Sequence, residues 1–187
     1  GMGILVFLLA VLPLVGGSNM QLMKAESPGP SVGKLVPKVR FTARILYVLY
    51  VALTLLQVLV MLMGGMTLYE ALCTSFGTAG TGGFGIYGDS IARFSPFLQW
   101  AITVFMIAFG VNFNVYFLLY MRRPKDALHC EEMHWYLGII AASVGLITLN
   151  ILPLYGNNPL HSFRYAFFQV SSIITTTGYT TADYSAW

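Results

Sequence analysis

Apolar runs of distinct lengths alternate with polar breaks along this chain. Ile45 to Met63, Phe97 to Met121 and Trp135 to about Tyr155 are continuous apolar stretches, each close to or above the roughly twenty residues that a helix needs to cross a bilayer. Gly3 to Val15 is apolar too, but at about thirteen residues it falls below that length and is expected to be the inner half of a truncated helix. Two segments are shorter helices with clear start signals. Thr67 to about Thr78 opens on Thr-x-x-Glu, a capping box of Thr67 and Glu70. The other has Asn158 as cap and Pro159 in the first helical position, and runs through Phe163 and Phe168. Neither can cross, so each is expected to enter the membrane, stop midway and be followed by backbone that climbs back out.

The two short helices lead into similar stretches. Ala79-Gly80-Thr81-Gly82-Gly83-Phe84-Gly85 and Thr175-Thr176-Thr177-Gly178-Tyr179-Thr180-Thr181 share a frame in which Thr81 meets Thr176, Gly83 meets Gly178 and Phe84 meets Tyr179. The order helix, half-helix, glycine-containing stretch, helix occurs once in full and once without its last member, an internal repeat. A dehydrated alkali cation needs several weakly charged oxygens in place of its water shell, and backbone carbonyls supply them. Aiming successive carbonyls toward one axis takes unusual backbone angles that glycine tolerates. Irregular backbone survives at membrane depth only where it is buried in protein or lines a cavity. The residues therefore point to a selectivity filter built from Thr81, Gly82, Gly83 and Phe84 and from Thr176, Thr177, Gly178 and Tyr179. The C-terminal ends of both half-helices would face the membrane centre, where their partial negative charge favours a cation.

Composition and charge agree with lipid as the solvent. Of 187 residues, 57% are hydrophobic and 9% charged, against roughly a quarter charged in soluble domains. The net charge of +3 does not imply nucleic acid, because the positive residues sort by membrane side. Lys24, Lys34, Lys38, Arg40, Arg44, Arg122, Arg123 and Lys125 fall on the expected inner side, and only Arg93 and Arg164 on the outer. Cys73 and Cys130 fall on opposite sides and are expected to stay reduced.

Other signals have plainer readings. Gly80-x-Gly82-x-x-Gly85 matches a dinucleotide-binding pattern but lacks the strand and helix context that gives it meaning. His129, Cys130, Glu131, Glu132 and His134 match no standard zinc spacing and read as a solvated turn. Glu70 is explained by its cap. Asp183 has two readings, a mouth charge that concentrates cations and a structural hydrogen-bonding group. Asn112, Asn114 and Asn150 are expected to make helix-packing hydrogen bonds, and Arg164 to face the outer surface or an acidic neighbour. An intramembrane enzyme would need a nucleophile with a partner His, or paired acids; Ser75 and Ser171 have no His at membrane depth and no spanning run carries an acid. The chain reads as not an enzyme, with no cofactor beyond a transported ion.

Three stretches resemble the Trk/Ktr/HKT superfamily of potassium transporters, most closely its bacterial TrkH/TrkG branch: Gly16-Gly17 through Met20-Gln21-Leu22 to Ala25-Glu26-Ser27-Pro28-Gly29-Pro30, Thr81-Gly82-Gly83-Phe84, and Thr175 through Tyr184. The resemblance implies an all-α membrane protein of potassium-channel-like helix-pore loop-helix repeats, four around one pore in the whole protein. Residues 1–15 would end repeat one, 16–44 form a cytoplasmic loop, 45–121 make repeat two, 122–134 form a second loop, and 135–187 carry repeat three as far as its filter. Both ends are expected to be cuts through a longer protein, with one Thr-x-Gly pore loop upstream of Gly1 and another downstream of Trp187. It further implies potassium uptake across the bacterial inner membrane by a multi-pass protein, a homodimer of two copies, and a cytoplasmic TrkA-type nucleotide-binding regulatory partner. Coupling to sodium or protons, weak selectivity among monovalent cations, and a non-conducting scaffold with a degenerate pore are the alternatives. Filter two has Gly82, Gly83 and Gly85 where filter three keeps only Gly178, so the symmetry is approximate.

Overall fold

The computed structural model describes residues 39–187 apart from 123, 125, 126, 128, 184 and 186. The expected truncated helix 1–15 and most of the loop 16–44, with the Ala25 to Pro30 stretch, lie outside the described residues. Among the described residues every regular element is helical. Helix α1, Val39–Met63, contains the first expected span, and α2, Leu68–Ala79, is the first short helix. The capping box forms as its residue types dictate. The Thr67 amide donates to the Glu70 carboxylate at 2.8 Å and the Glu70 amide to the Thr67 hydroxyl at 3.4 Å.

The apolar run from Phe97 to Met121 is two helices rather than one. Helix α3, Pro96–Gly110, starts on a Ser95 cap, and α4 resumes at Phe113 and ends at Tyr120. Between them Val111 is extended, with ψ 140°. Hydropathy alone misses this break because Gly110 and Asn112 are isolated within an otherwise apolar run. Gly110 and β-branched Val111 are weak helix formers, the Val111 amide still donates to the Ile107 carbonyl at 3.1 Å, and polar side chains add further bonds around the break. The Tyr136 hydroxyl donates to the Ile107 carbonyl at 3.3 Å, and the Asn112 side-chain amide donates to Glu132 at 2.7 Å.

Helix α5, Glu131–Ile151, begins four residues before the expected Trp135, with Glu131 and Glu132 in its first turn, where carboxylates suit the positive end of the helix dipole. Proline ends it: a 3-10 turn at Pro153–Tyr155 closes on Gly156. Asn158 then caps α6, Pro159–Ile174, its Oδ1 accepting from the amides of Leu160 and His161 at 3.2 and 3.4 Å.

The chain divides into two compact units. In one, which takes in Asn112–Glu132 and α1 up to Leu53, the ring of Tyr50 lies 6.1 Å from that of Phe113. The other holds Thr54–Val111 and Met133–Trp187. There α3 packs against both α2 and α6, with Trp100 5.9 and 5.6 Å from Phe163 and Phe167 of α6. Ile140, Val144 and Ile151 of α5 join Ala166 and Val170 of α6 in a buried cluster. Arg44–Met63 and Glu131–Ile151 are long and apolar enough to cross a membrane. Leu55, Leu56, Leu59 and Met63 on the first, and Leu146 and Leu149 on the second, are exposed. Such surface is unfavourable in water and ordinary against hydrocarbon.

The Asn158 cap gives a direct test. Asn158→Ala should lower the stability of the detergent-solubilised full-length protein by about 1 kcal/mol, and Asn158→Asp should restore it, as read from unfolding midpoints.

Candidate ion-coordinating site

Helices α2 and α6 end in the same turn, residue for residue, at a separation of 95 positions, as between Phe84 and Tyr179. Gly80 closes α2 with φ −83° and ψ −2°, and Thr175 closes α6 with φ −87° and ψ 1°. In the first turn the Gly80 amide donates to Phe76, Thr81 to Thr78, and both Gly82 and Gly83 to Gly77, at 2.9, 3.1, 2.9 and 3.3 Å. In the second, Thr175 donates to Ser171, Thr176 to Ile173, and both Thr177 and Gly178 to Ser172, at 3.1, 3.0, 2.9 and 3.3 Å. All four bonds recur with their partners.

These bonds hold an unfavourable backbone. Thr81 and Thr176 have φ of 50° and 57°, and Gly83 and Gly178 have φ of 62° and 87°. A left-handed residue other than glycine costs roughly 1–2 kcal/mol, more awkwardly so for β-branched threonine. The strain persists because the amides on either side are tied to the helix end.

The turns use their amides and leave their carbonyls open. Among the described residues no hydrogen bond is donated to the carbonyls of Thr81, Gly82, Gly83, Thr176, Thr177 or Gly178. The next carbonyl in each frame is engaged: Phe84 lies 3.3 Å from the Tyr179 hydroxyl, and Tyr179 accepts from the Ser172 hydroxyl at 2.7 Å. Free carbonyls beyond a helix C-terminus, whose dipole end is negative, are the donor set that suits a cation without its water shell.

The two turns touch. A β-carbon placed on Gly83 would collide with the Thr177 carbonyl oxygen, whereas one on Gly178 would meet nothing within 4 Å. Beyond the turns the Ile91 amide donates to Thr180 at 3.0 Å, and the Thr180 amide to the Ser90 hydroxyl at 3.2 Å. Of the expected site side chains, Tyr179 and Thr177 are buried, at 0% and 2% exposure, while Phe84 is 80% exposed. The Thr177 hydroxyl is engaged with that of Thr175 at 2.8 Å. Asp183 is exposed and accepts from the Ser185 amide at 3.0 Å. Bonds from Ser185 hold its carboxyl below the usual range, so it keeps its charge and also has a local structural partner.

Both carboxylate oxygens of Glu70 have local hydrogen-bond partners. One takes the Thr67 amide and hydroxyl, the latter at 2.8 Å, and the other takes the Tyr87 hydroxyl at 2.6 Å. The Tyr87 bond, followed by those from Thr67, holds the Glu70 carboxyl below its ordinary range. Arg93 stacks on the same Tyr87 ring, 3.9 Å from its centre. No group of three or more His, Cys, Asp or Glu side chains converges among the described residues. Arg164 lies over the ring of Tyr165, 5.0 Å from its centre.

Sequence reasoning missed several polar anchors. The buried Gln57 amide donates to the Thr78 hydroxyl at 2.9 Å, and Gln99 donates to the Phe94 carbonyl at 3.1 Å, fixing the loop before α3. Both are amides in apolar runs, a signal that could have marked them.

The model of the TrkH family, described as cation transport protein, matches residues 1–149. The chain is 36% identical over 192 residues to the Trk system potassium uptake protein TrkH of Escherichia coli K12, covering 100% of this chain and 40% of that protein. It is 32% identical over 191 residues to TrkG of the same strain, covering 100% and 39%. The crystal structure of the potassium transporter TrkH from Vibrio parahaemolyticus superposes with a TM-score of 0.78 at 28% identity, over 100% of this chain and 38% of that one. The chain thus spans about 40% of the length of the curated relatives it matches.

The two glycines should differ. Both substitutions to alanine incur the left-handed cost of about 1–2 kcal/mol, but only Gly83→Ala also drives a β-carbon into backbone. Thermal unfolding should therefore show Gly83→Ala to be the more destabilising. A second test is pH. Because the folded-state pKa of Glu70 is depressed, its contribution is fully present above the ordinary carboxylate value of about 4.3 and is lost as pH falls through the lower folded value. Glu70→Gln should flatten the acid limb of a stability profile below about pH 4.3.

Proposed function

Since the chain belongs to the TrkH family of cation transport proteins, we propose that it supplies two of the pore segments through which a Trk-type transporter takes up potassium. The observation that carries this reading is the run of unengaged carbonyls at Thr81, Gly82 and Gly83 and again at Thr176, Thr177 and Gly178, on two turns that touch. Phe84 and Tyr179 complete the two segments. In this reading residues 45–121 form one helix-pore loop-helix repeat, and 135–187 form another as far as its filter. The recurrence of the turn hydrogen bonds 95 positions apart supports it, as do relatives named for potassium uptake.

The donor set dictates the mechanism. A potassium ion leaving water needs its hydration replaced oxygen by oxygen, and strained turns held by their amides present carbonyls without reorganising. The ends of α2 and α6 add partial negative charge from below, and Asp183 would raise the cation concentration at the mouth. No bond is made or broken, so the protein is a transporter rather than an enzyme. We place it in the bacterial inner membrane as a multi-pass protein, paired with a second copy and regulated by a TrkA-type nucleotide-binding subunit on the cytoplasmic side.

The full-length protein in liposomes tests this reading. Gly83→Ser and Gly178→Ser should each reduce discrimination between rubidium and sodium by about tenfold, equivalent to ~1.4 kcal/mol. Unchanged selectivity in both variants would contradict the filter assignment.

A further inference from the structure

The two turns differ at the residue that anchors them. Gly77 and Ser172 hold the same position in the 95-residue frame, and the carbonyl of each accepts two turn amides. Ser172 also has a hydroxyl, which donates at 2.7 Å to the Tyr179 carbonyl directly after the filter glycine. Gly77 has none, yet the matching carbonyl, that of Phe84, is not left without a donor. The Tyr179 hydroxyl reaches it at 3.3 Å, and among the described residues no other donor does. The same hydroxyl has one proton to give and is nearer the Thr74 carbonyl, at 3.1 Å. That carbonyl already accepts from the Thr78 hydroxyl at 2.8 Å, so of the two it is Phe84 that has no other donor among the described residues.

The space is shaped for this exchange. A β-carbon on Gly77 would collide with the Tyr179 hydroxyl, and would sit 3.1 Å from the Phe84 carbonyl oxygen and 3.2 Å from Tyr179 Cζ. The absent side chain at 77 is thus the seat of the tyrosine's tip. Tyr179 itself is fully buried, at 0% exposure, so an unmade hydrogen bond there would not be replaced by water without cost.

From this we infer that Tyr179 is a positioning residue for the turn other than its own: its hydroxyl replaces, across the contact, the serine hydroxyl that Gly77 lacks. The carbonyl after each filter glycine is therefore pinned by one hydroxyl, from within its own half-helix in the second turn and from the neighbouring turn in the first. This rests on the filter reading of the two turns, and it adds a specificity role for the Tyr179 side chain, where that reading uses only its backbone. Because the pin crosses from one turn to the other, the geometry of the first depends on the second being folded.

The test is a rescue pattern in the full-length transporter, read as rubidium-over-sodium selectivity in liposomes. Tyr179→Phe should lower selectivity by about fivefold, the worth of one hydrogen bond, and Ser172→Ala should do the same. Adding Gly77→Ser to Tyr179→Phe should restore selectivity, the ring yielding by a few tenths of an ångström, because the new hydroxyl reaches Phe84 as Ser172 reaches Tyr179. Adding Gly77→Ser to Ser172→Ala should not. Amide hydrogen exchange over 81–85 should rise in Tyr179→Phe and fall again in the double variant, a readout independent of flux. Rescue of both variants, or of neither with exchange at 81–85 unchanged in Tyr179→Phe, would overturn the inference. Should Gly83→Ser and Gly178→Ser leave selectivity intact, the filter reading fails instead; should they impair it while Tyr179→Phe does not, only the pin fails.

Discussion

The amide bonds that tie each turn back to the end of its short helix are the constraint on which the site depends. The Gly77 and Ser172 carbonyls each take two amides and, with the bonds from Thr81 and Thr176 to Thr78 and Ile173, hold those threonines in the left-handed region. With them, the donors of the turn are occupied and its acceptors are not. Open acceptors of this kind suit a cation or a hydrogen-bond donor.

The surrounding architecture serves to bring two such turns together. Capping fixes where α2 and α6 begin, through the Thr67–Glu70 box and the Asn158 side chain, and the turn bonds fix where each ends. Helix α3 packs on both, and the Ser90–Thr180 and Ile91–Thr180 bonds tie the exits of the two turns. Buried polar groups do much of this work, as expected where apolar packing alone distinguishes poorly between protein and lipid neighbours.

Much of this was legible in the sequence. Caps are local chemistry, so Thr67, Glu70, Asn158 and Pro159 announced both short helices, and the shared Thr-x-Gly-aromatic frame announced two like turns. The break at Val111 was not legible, because a broken helix and a continuous one carry the same apolar composition. It is marked only by the weak helix formers Gly110 and Val111 beside Asn112. Helix α5 starts before its apolar run because Glu131 and Glu132, polar enough to resemble loop, are favourable in a first turn. Contacts between distant positions were illegible by nature. The frame that aligned Tyr179 with Phe84 could not reveal that one reaches the carbonyl of the other, nor that a β-carbon at Gly77 would collide with that hydroxyl.

Backbone oxygens on the two strained turns are the proposed seat of a dehydrated cation. The most direct measurement is the anomalous scattering of rubidium in crystals of the full-length protein. Density is predicted within direct coordination distance of the Thr81–Gly83 and Thr176–Gly178 carbonyls, exchangeable with potassium. Rubidium found only beside carboxylates such as Asp183, with the turns empty, would contradict it.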